Sequence, residues 1–154
     1  MYNSMTKLLT LLISITICHN AIGQSISRAM QEKAYAQAIK EFLTATHKRD
    51  ASVFDTLLVG RHPDFPAISL PARIGNTTIL LCTTQQADSI RKQNEKLVFV
   101  NIVGTVTADD SQFLFVTFYP GYIHQYDCTI DLTRNPHTHA YQTTNVDFKN
   151  FAYR

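Results

Sequence analysis

Three sets of side chains in this 154-residue chain have the types and spacing to do chemistry. The first is histidine-centred. His137 and His139 stand two apart, so on a strand both project to one face, a spacing that can hold a divalent metal such as zinc. His124 and Asp127 lie on the preceding predicted strand and could complete a ligand set, or the machinery of a small histidine-based or metal-dependent hydrolase. A solvated strand end beside Pro136 accounts for the same pair without a metal. The second set is aromatic: Phe113, Phe115, Tyr122 and Tyr126 fall on adjacent predicted strands and could line a pocket for a small apolar ligand, or a protein-binding surface. The third is the pair Cys82 and Cys128, two cysteines that could form a disulfide in an oxidising compartment or remain buried thiols.

Other catalytic signatures are missing from the sequence. It has no G-x-S-x-G, no H-E-x-x-H and no glycine-rich phosphate loop. Arg61-His62-Pro63-Asp64 gathers a cation, an imidazole and a carboxylate in one loop, but no nucleophile stands beside them. Nothing calls for a resident cofactor.

The elements that must position these residues follow from periodicity. Residues 25–48 are predicted to be a helix capped by Ser25 or Ser27. Met30, Ala34, Tyr35, Ala38, Ile39, Phe42 and Leu43 recur at spacings of three and four and make one apolar stripe. Glu32, Lys33, Gln37, Lys40 and Glu41 occupy the other side. Short strands are expected at 56–59 and 77–82, the latter reading TTILLC. Thr83 and Gln86 match a capping box, opening a short helix to about Asn94. Four longer strands follow at 97–107, 113–119, 122–132 and 137–148, with turns at Ala108–Ser111, Pro120-Gly121 and Asn135-Pro136. In the third of these, Tyr122, His124, Tyr126, Cys128, Ile130 and Leu132 share one face and should point inward. Short turns between successive strands favour an antiparallel meander. The expected class is α+β: a long N-terminal helix packed on a curved antiparallel sheet, with a short second helix.

The start of the chain reads as an export signal. Lys7 supplies a positive charge, Leu8 to Ile17 is an uncharged apolar run, and Ala21-Ile22-Gly23 places small residues where a signal peptidase cuts. A run of about ten residues is half the roughly twenty needed to span a bilayer, so no stable membrane anchor is expected. The reading is a signal peptide over 1–23 and a single α+β domain over 24–154, in the periplasm or secreted. A rival reading makes the chain a lipoprotein acylated at Cys18, although Ile15 and Ile17 stand where such a cut favours Leu and a small residue.

Removing Lys7 with the signal leaves 13 basic and 12 acidic residues. That balance, with no basic run longer than two, excludes nucleic acid as an expected partner. The expected function is a non-catalytic binding or interaction domain for a protein or a small apolar ligand. The hydrolase above and an accessory or structural protein of the periplasm are the alternatives.

The Ala-Ile-Gly ending before Gln24, the long first helix, and Leu70-Pro71 followed by Ile74-Gly75-Asn76 and TTILLC resemble small exported proteins of Gram-negative bacteria, notably the Bacteroidota. The resemblance implies a periplasmic or secreted address. The order of elements is similar to NTF2-like and cystatin-like folds, in which a helix lies on a curved antiparallel sheet. Such folds host enzymes and binding modules alike.

The export reading makes one direct prediction: amino-terminal sequencing of protein purified from its native host gives Gln24 as the first residue. An intact Met1 or Met5 would overturn it.

Overall fold

A computed structural model describes residues 26–51, 53–61, 67–94, 96–119 and 123–150. The export signal, Tyr122, His62, Asp64 and the Pro120-Gly121 turn lie outside the described residues. The elements in order are α1 (Arg28–Asp50), β1 (Thr56–Gly60), β2 (Arg73–Ile74), β3 (Thr77–Cys82), α2 (Thr84–Gln93), β4 (Val98–Val106), β5 (Asp110–Tyr119), β6 (Ile123–Arg134) and β7 (Tyr141–Asn150). The class is α+β: among the described residues, two helices lie on one curled seven-stranded sheet. No helix among the described residues is long and apolar enough to cross a membrane.

Helix α1 begins where Ser27, in extended conformation, accepts a hydrogen bond from the Met30 amide. This satisfies one of the amides that a helix start leaves open. It ends at Ala51, whose left-handed φ of 57° lets its N–H donate to the His47 carbonyl. His47, Lys48 and Arg49 occupy the last turn, where cations suit the negative end of the helix dipole. The apolar stripe works as its spacing predicts. Ala34, Tyr35, Ala38, Ile39 and Phe42 are all buried, in one core with Leu57, Val100, Phe113, Phe115, Tyr126 and Ile130.

The C-terminal strands form the expected four-strand antiparallel meander, β4-β5-β6-β7. The inward face of β6 is also as read, with Tyr126, Cys128, Ile130 and Leu132 buried. The sheet as a whole is mixed rather than antiparallel, because β1 inserts between β3 and β4 and runs parallel to both. Parallel neighbours need a long crossover. Here residues 83–97, which carry α2, make the crossover from β3 to β4. A strand in that position is covered on both faces. Leu57 and Val59 accordingly face the α1 side, while Leu58 faces a second cluster with Cys82, Ala87 and Phe99 beneath α2. Helix α2 carries the predicted capping box, with the Thr83 side chain accepting from the Gln86 amide and the Gln86 side chain from the Thr83 amide.

The segment 68–71 is tied to α1, with the Ser69 amide donating to Glu32 Oε1 at 2.9 Å and Ile68 buried in the main core. The last strand starts at Tyr141 rather than His137, because residues 135–140 make a turn. The Asn135 side chain accepts from the His137 and Thr138 amides, and the His139 amide donates to the Asn135 carbonyl at 2.8 Å. Asparagine and proline favour such turns for these reasons.

The packing of α1 on the sheet is close. Phe42 stacks on Phe115 with centroids 4.6 Å apart and planes 3° apart. Tyr35 meets Phe113 edge-on at 4.8 Å. Phe113 sits directly across from Gly104, and a Cβ built on Gly104 would lie 2.5 Å from the Phe113 ring and 3.0 Å from the Tyr35 hydroxyl. A glycine is required there for that approach.

Two substitutions check this account by denaturant titration. Phe42→Ala should lower stability by about 3–5 kcal/mol, through lost burial and a cavity. Gly104→Ala should lower it by about 1–3 kcal/mol, through overpacking. A loss well under 1 kcal/mol for Phe42→Ala would mean that α1 does not depend on this stack.

Candidate functional site

The described members of the aromatic set, Phe113, Phe115 and Tyr126, do not line an opening. Phe113 and Phe115 are fully buried and Tyr126 is 2% exposed, because α1 fills the concave face of the sheet. The expected apolar ligand pocket is therefore occupied by the protein's own helix. Sequence periodicity correctly places these rings inward but does not say what covers them.

The histidine set does not converge. His124 is the second residue of β6, with Phe118 as its Cα partner, whereas His137 and His139 lie in the turn beyond the strand's far end. Ten residues of extended chain separate His124 from Arg134, about 33 Å at strand rise. The expectation that His137 and His139 share a strand face is also corrected: both lie in the exposed turn, and His139 has φ 58°. Asp127 sits on the outer face of the meander, its Cα paired with Lys149. Among the described residues, no group of three or more His, Cys, Asp or Glu side chains is placed to hold a metal ion.

The disulfide is corrected as well. Both cysteines are free and buried. Cys128 belongs to the core beneath α1 and Cys82 to the cluster beneath α2, on opposite faces of the sheet. Four strand steps separate β3 from β6, about 19 Å at normal strand spacing. A bridge needs Cα atoms within about 7 Å.

A different arrangement does come together. Helix α1, the β2–β3 hairpin and the turn before β7 enclose an open groove of about 570 Å³, lined by Lys33, Ala36, Gln37, Lys40, Arg73, Ile74, Thr138, His139, Ala140 and Tyr141. Lys33, Ala36, Gln37 and Lys40 follow the i, i+3, i+4, i+7 pattern, so they form one stripe of the helix beside the buried one. Gly75, at φ 59°, turns the chain between β2 and β3 and leaves Arg73 at the sheet edge, its Nη2 donating to the Asn76 carbonyl at 3.3 Å. The Asn135 turn delivers His139. The bond between Glu32 and Ser69 holds the segment leading into β2 against α1; that amide, and then the Arg28 side chain, keep the Glu32 carboxyl below its ordinary range.

Three cations and an imidazole thus line one groove that contains no carboxylate. Its other lining residues are neutral: the polar Gln37 and Thr138, and Ala36, Ile74, Ala140 and the half-buried Tyr141. Burial pushes the Tyr141 hydroxyl above its usual range, against the opposing influence of Arg134 and the neighbouring Ser111 hydroxyl, so it stays neutral at physiological pH. Positive charge along a groove attracts anions, and the apolar side chains among its lining residues can cover part of a hydrophobic body.

Sequence reasoning assigned Lys33 and Lys40 only to a polar helix face, did not single out Arg73, and gave His139 a metal role. The seven-residue spacing of the lysines was visible. Its convergence with positions 73 and 139 depends on tertiary structure. No family model, curated protein or solved structure matches the chain.

The free thiols yield a pH prediction. Burial raises Cys82 to about 11 and Cys128 to about 12, while in the unfolded chain both titrate near their ordinary value of about 8.5. Above that value the unfolded state loses protons that the native state keeps. Stability should therefore be full below about pH 8.5 and fall as pH rises toward 11–12. Denaturant midpoints measured from pH 8 to 10.5 should decline, with a shallower slope in the Cys82→Ala/Cys128→Ala variant. Identical slopes in the two proteins would contradict the burial of the thiols.

Proposed function

We propose that the chain is an exported, non-catalytic binding domain, and that its site is the cationic groove between α1, the β2–β3 hairpin and the turn before β7. The ligand class is an anion with an apolar body. One observation carries this reading: Lys33, Lys40, Arg73 and His139 come from three separate segments to line a single groove without a carboxylate among them.

The electrostatics favour such a ligand. Each charge-assisted hydrogen bond from lysine or arginine to a carboxylate is stronger than a neutral one. The apolar side chains of Ile74, Ala140 and Tyr141 add about 25 cal/mol for each Å² of apolar ligand surface that they remove from water. The export reading fits the order of the chain, since a cut between Gly23 and Gln24 falls ahead of the Ser27 cap and leaves α1 whole. A hydrolase built on His124, Asp127, His137 and His139 lacks support, because those residues are spread along and beyond β6.

Titration calorimetry with octanoate and its neutral analogue octanamide tests the proposal. Octanoate should bind at least tenfold more tightly, with an affinity that falls as sodium chloride is raised. The Lys40→Gln/Arg73→Gln variant should lose that preference while unfolding at the wild-type denaturant concentration. Equal binding of the two compounds, or an unchanged preference in the variant, would overturn the assignment of the groove.

A further inference from the structure

Resting on the anion-binding reading above, the geometry points to a narrower ligand class: an extended dianion whose two negative groups stand about 10 Å apart, with an apolar body between them. Lys33 and Lys40 both line the groove. Seven residues are almost two full turns, so their side chains leave α1 on the same stripe, about 10.5 Å apart along the axis. The stripe between them holds Ala36 and Gln37, and neither is charged. Gln37 is already engaged, its Nε2 donating to Glu41 Oε1 at 2.8 Å. Ile74, Ala140 and Tyr141 supply apolar surface to the same groove. Positive charge therefore marks the two ends of the helical stripe and the middle is neutral.

That distribution selects on length. A compact anion can satisfy one lysine, but drawing both ammonium groups onto it brings two like charges together over an apolar surface, where their repulsion is stronger than in water. An extended dianion neutralises both lysines where they stand. Its central chain covers the apolar lining, and Arg73 and His139 line the groove with the lysines to serve as further donors. Two anionic groups on one molecule also gain from linkage, since the second binds at high effective concentration once the first is seated.

Three probes separate length from charge: an unbranched α,ω-dicarboxylate whose carboxylates stand about 10 Å apart when extended, the short dicarboxylate butanedioate, and the long monocarboxylate with the same number of carbons as the first. Calorimetric titration of the full domain should show the long dianion binding at least tenfold more tightly than either of the other two. Lys33→Gln and Lys40→Gln, each on an exposed lysine, should each reduce the long dianion to the affinity of the monoanion. Both substitutions should leave the denaturant midpoint unchanged. If all three compounds bind alike, and Arg73→Gln weakens them equally, the length inference fails and the anion-binding groove stands. If none binds to the wild-type protein, both fail.

Discussion

The contact on which the rest of the molecule depends is the seating of α1 in the hollow of the sheet. Phe42 lies flat on Phe115, and Tyr35 reaches the Phe113 ring over the space that Gly104 leaves open. An antiparallel meander of this length curls, and a curled sheet has a concave side that must be filled by ligand, water or protein. In this chain protein fills it. The buried stripe is a row of Ala, Tyr, Ile and Phe side chains, large enough to close the space completely at Phe42, Phe113 and Phe115. The helix is thus both the main stabilising element and the reason the interior cannot serve as a ligand cavity. The groove proposed for recognition lies instead on the helix's outer flank, where the Lys33–Lys40 stripe meets the hairpin and turn.

Much of this order was readable from local chemistry. The 3.6-residue period gave α1 and its buried stripe. The Thr83/Gln86 pair gave the start of α2, and alternation along Tyr126, Cys128, Ile130 and Leu132 gave the inward face of β6. Strand direction was not readable in the same way. Leu57, Leu58 and Val59 show that β1 is buried on both sides, but a continuous apolar run has the same appearance whichever way its neighbours point. The evidence for parallel pairing was instead the helix at 84–93 between two strands, a crossover pattern that the antiparallel expectation passed over. The insertion of β1 also adds a strand between Cys82 and Cys128, and the pairing register puts them on opposite faces, which no cysteine count could reveal.

The site was legible only in pieces, for a related reason. Sequence reasoning finds chemistry where unusual residues cluster along the chain, which led to His137 and His139. The groove instead draws ordinary surface residues from positions 33, 40, 73 and 139. Each has a bland explanation alone: solvated helix lysines, a hairpin arginine, a turn histidine. Their joint meaning depends on the tie between Glu32 and Ser69, which brings the segment leading into β2 to α1, and on the Asn135 turn, which presents His139. Those are a side-chain bond across 37 positions and a local turn whose placement depends on how far β6 extends. Neither leaves a mark in hydrophobic periodicity.

The near-balance of 14 basic and 12 acidic residues conceals a separation in space. The outer face of the meander has a hollow lined by Asp127, Asp131 and Asp147, with Lys149 the single cation among its lining residues. Asp131 is engaged there by the Gln112 and Asn145 side-chain amides at 2.9 and 3.0 Å. The groove beside α1 carries the opposite sign. Strand alternation separates the two, since the residues of β6 that face α1 are Tyr126, Cys128, Ile130 and Leu132 and the aspartates fall between them. Acidic groups on β6 are thereby turned away from the groove by the same period that buries its apolar partners. A one-residue slip in that strand would bury aspartate and expose the core, so the register that secures the fold also keeps the β6 aspartates turned away from the groove.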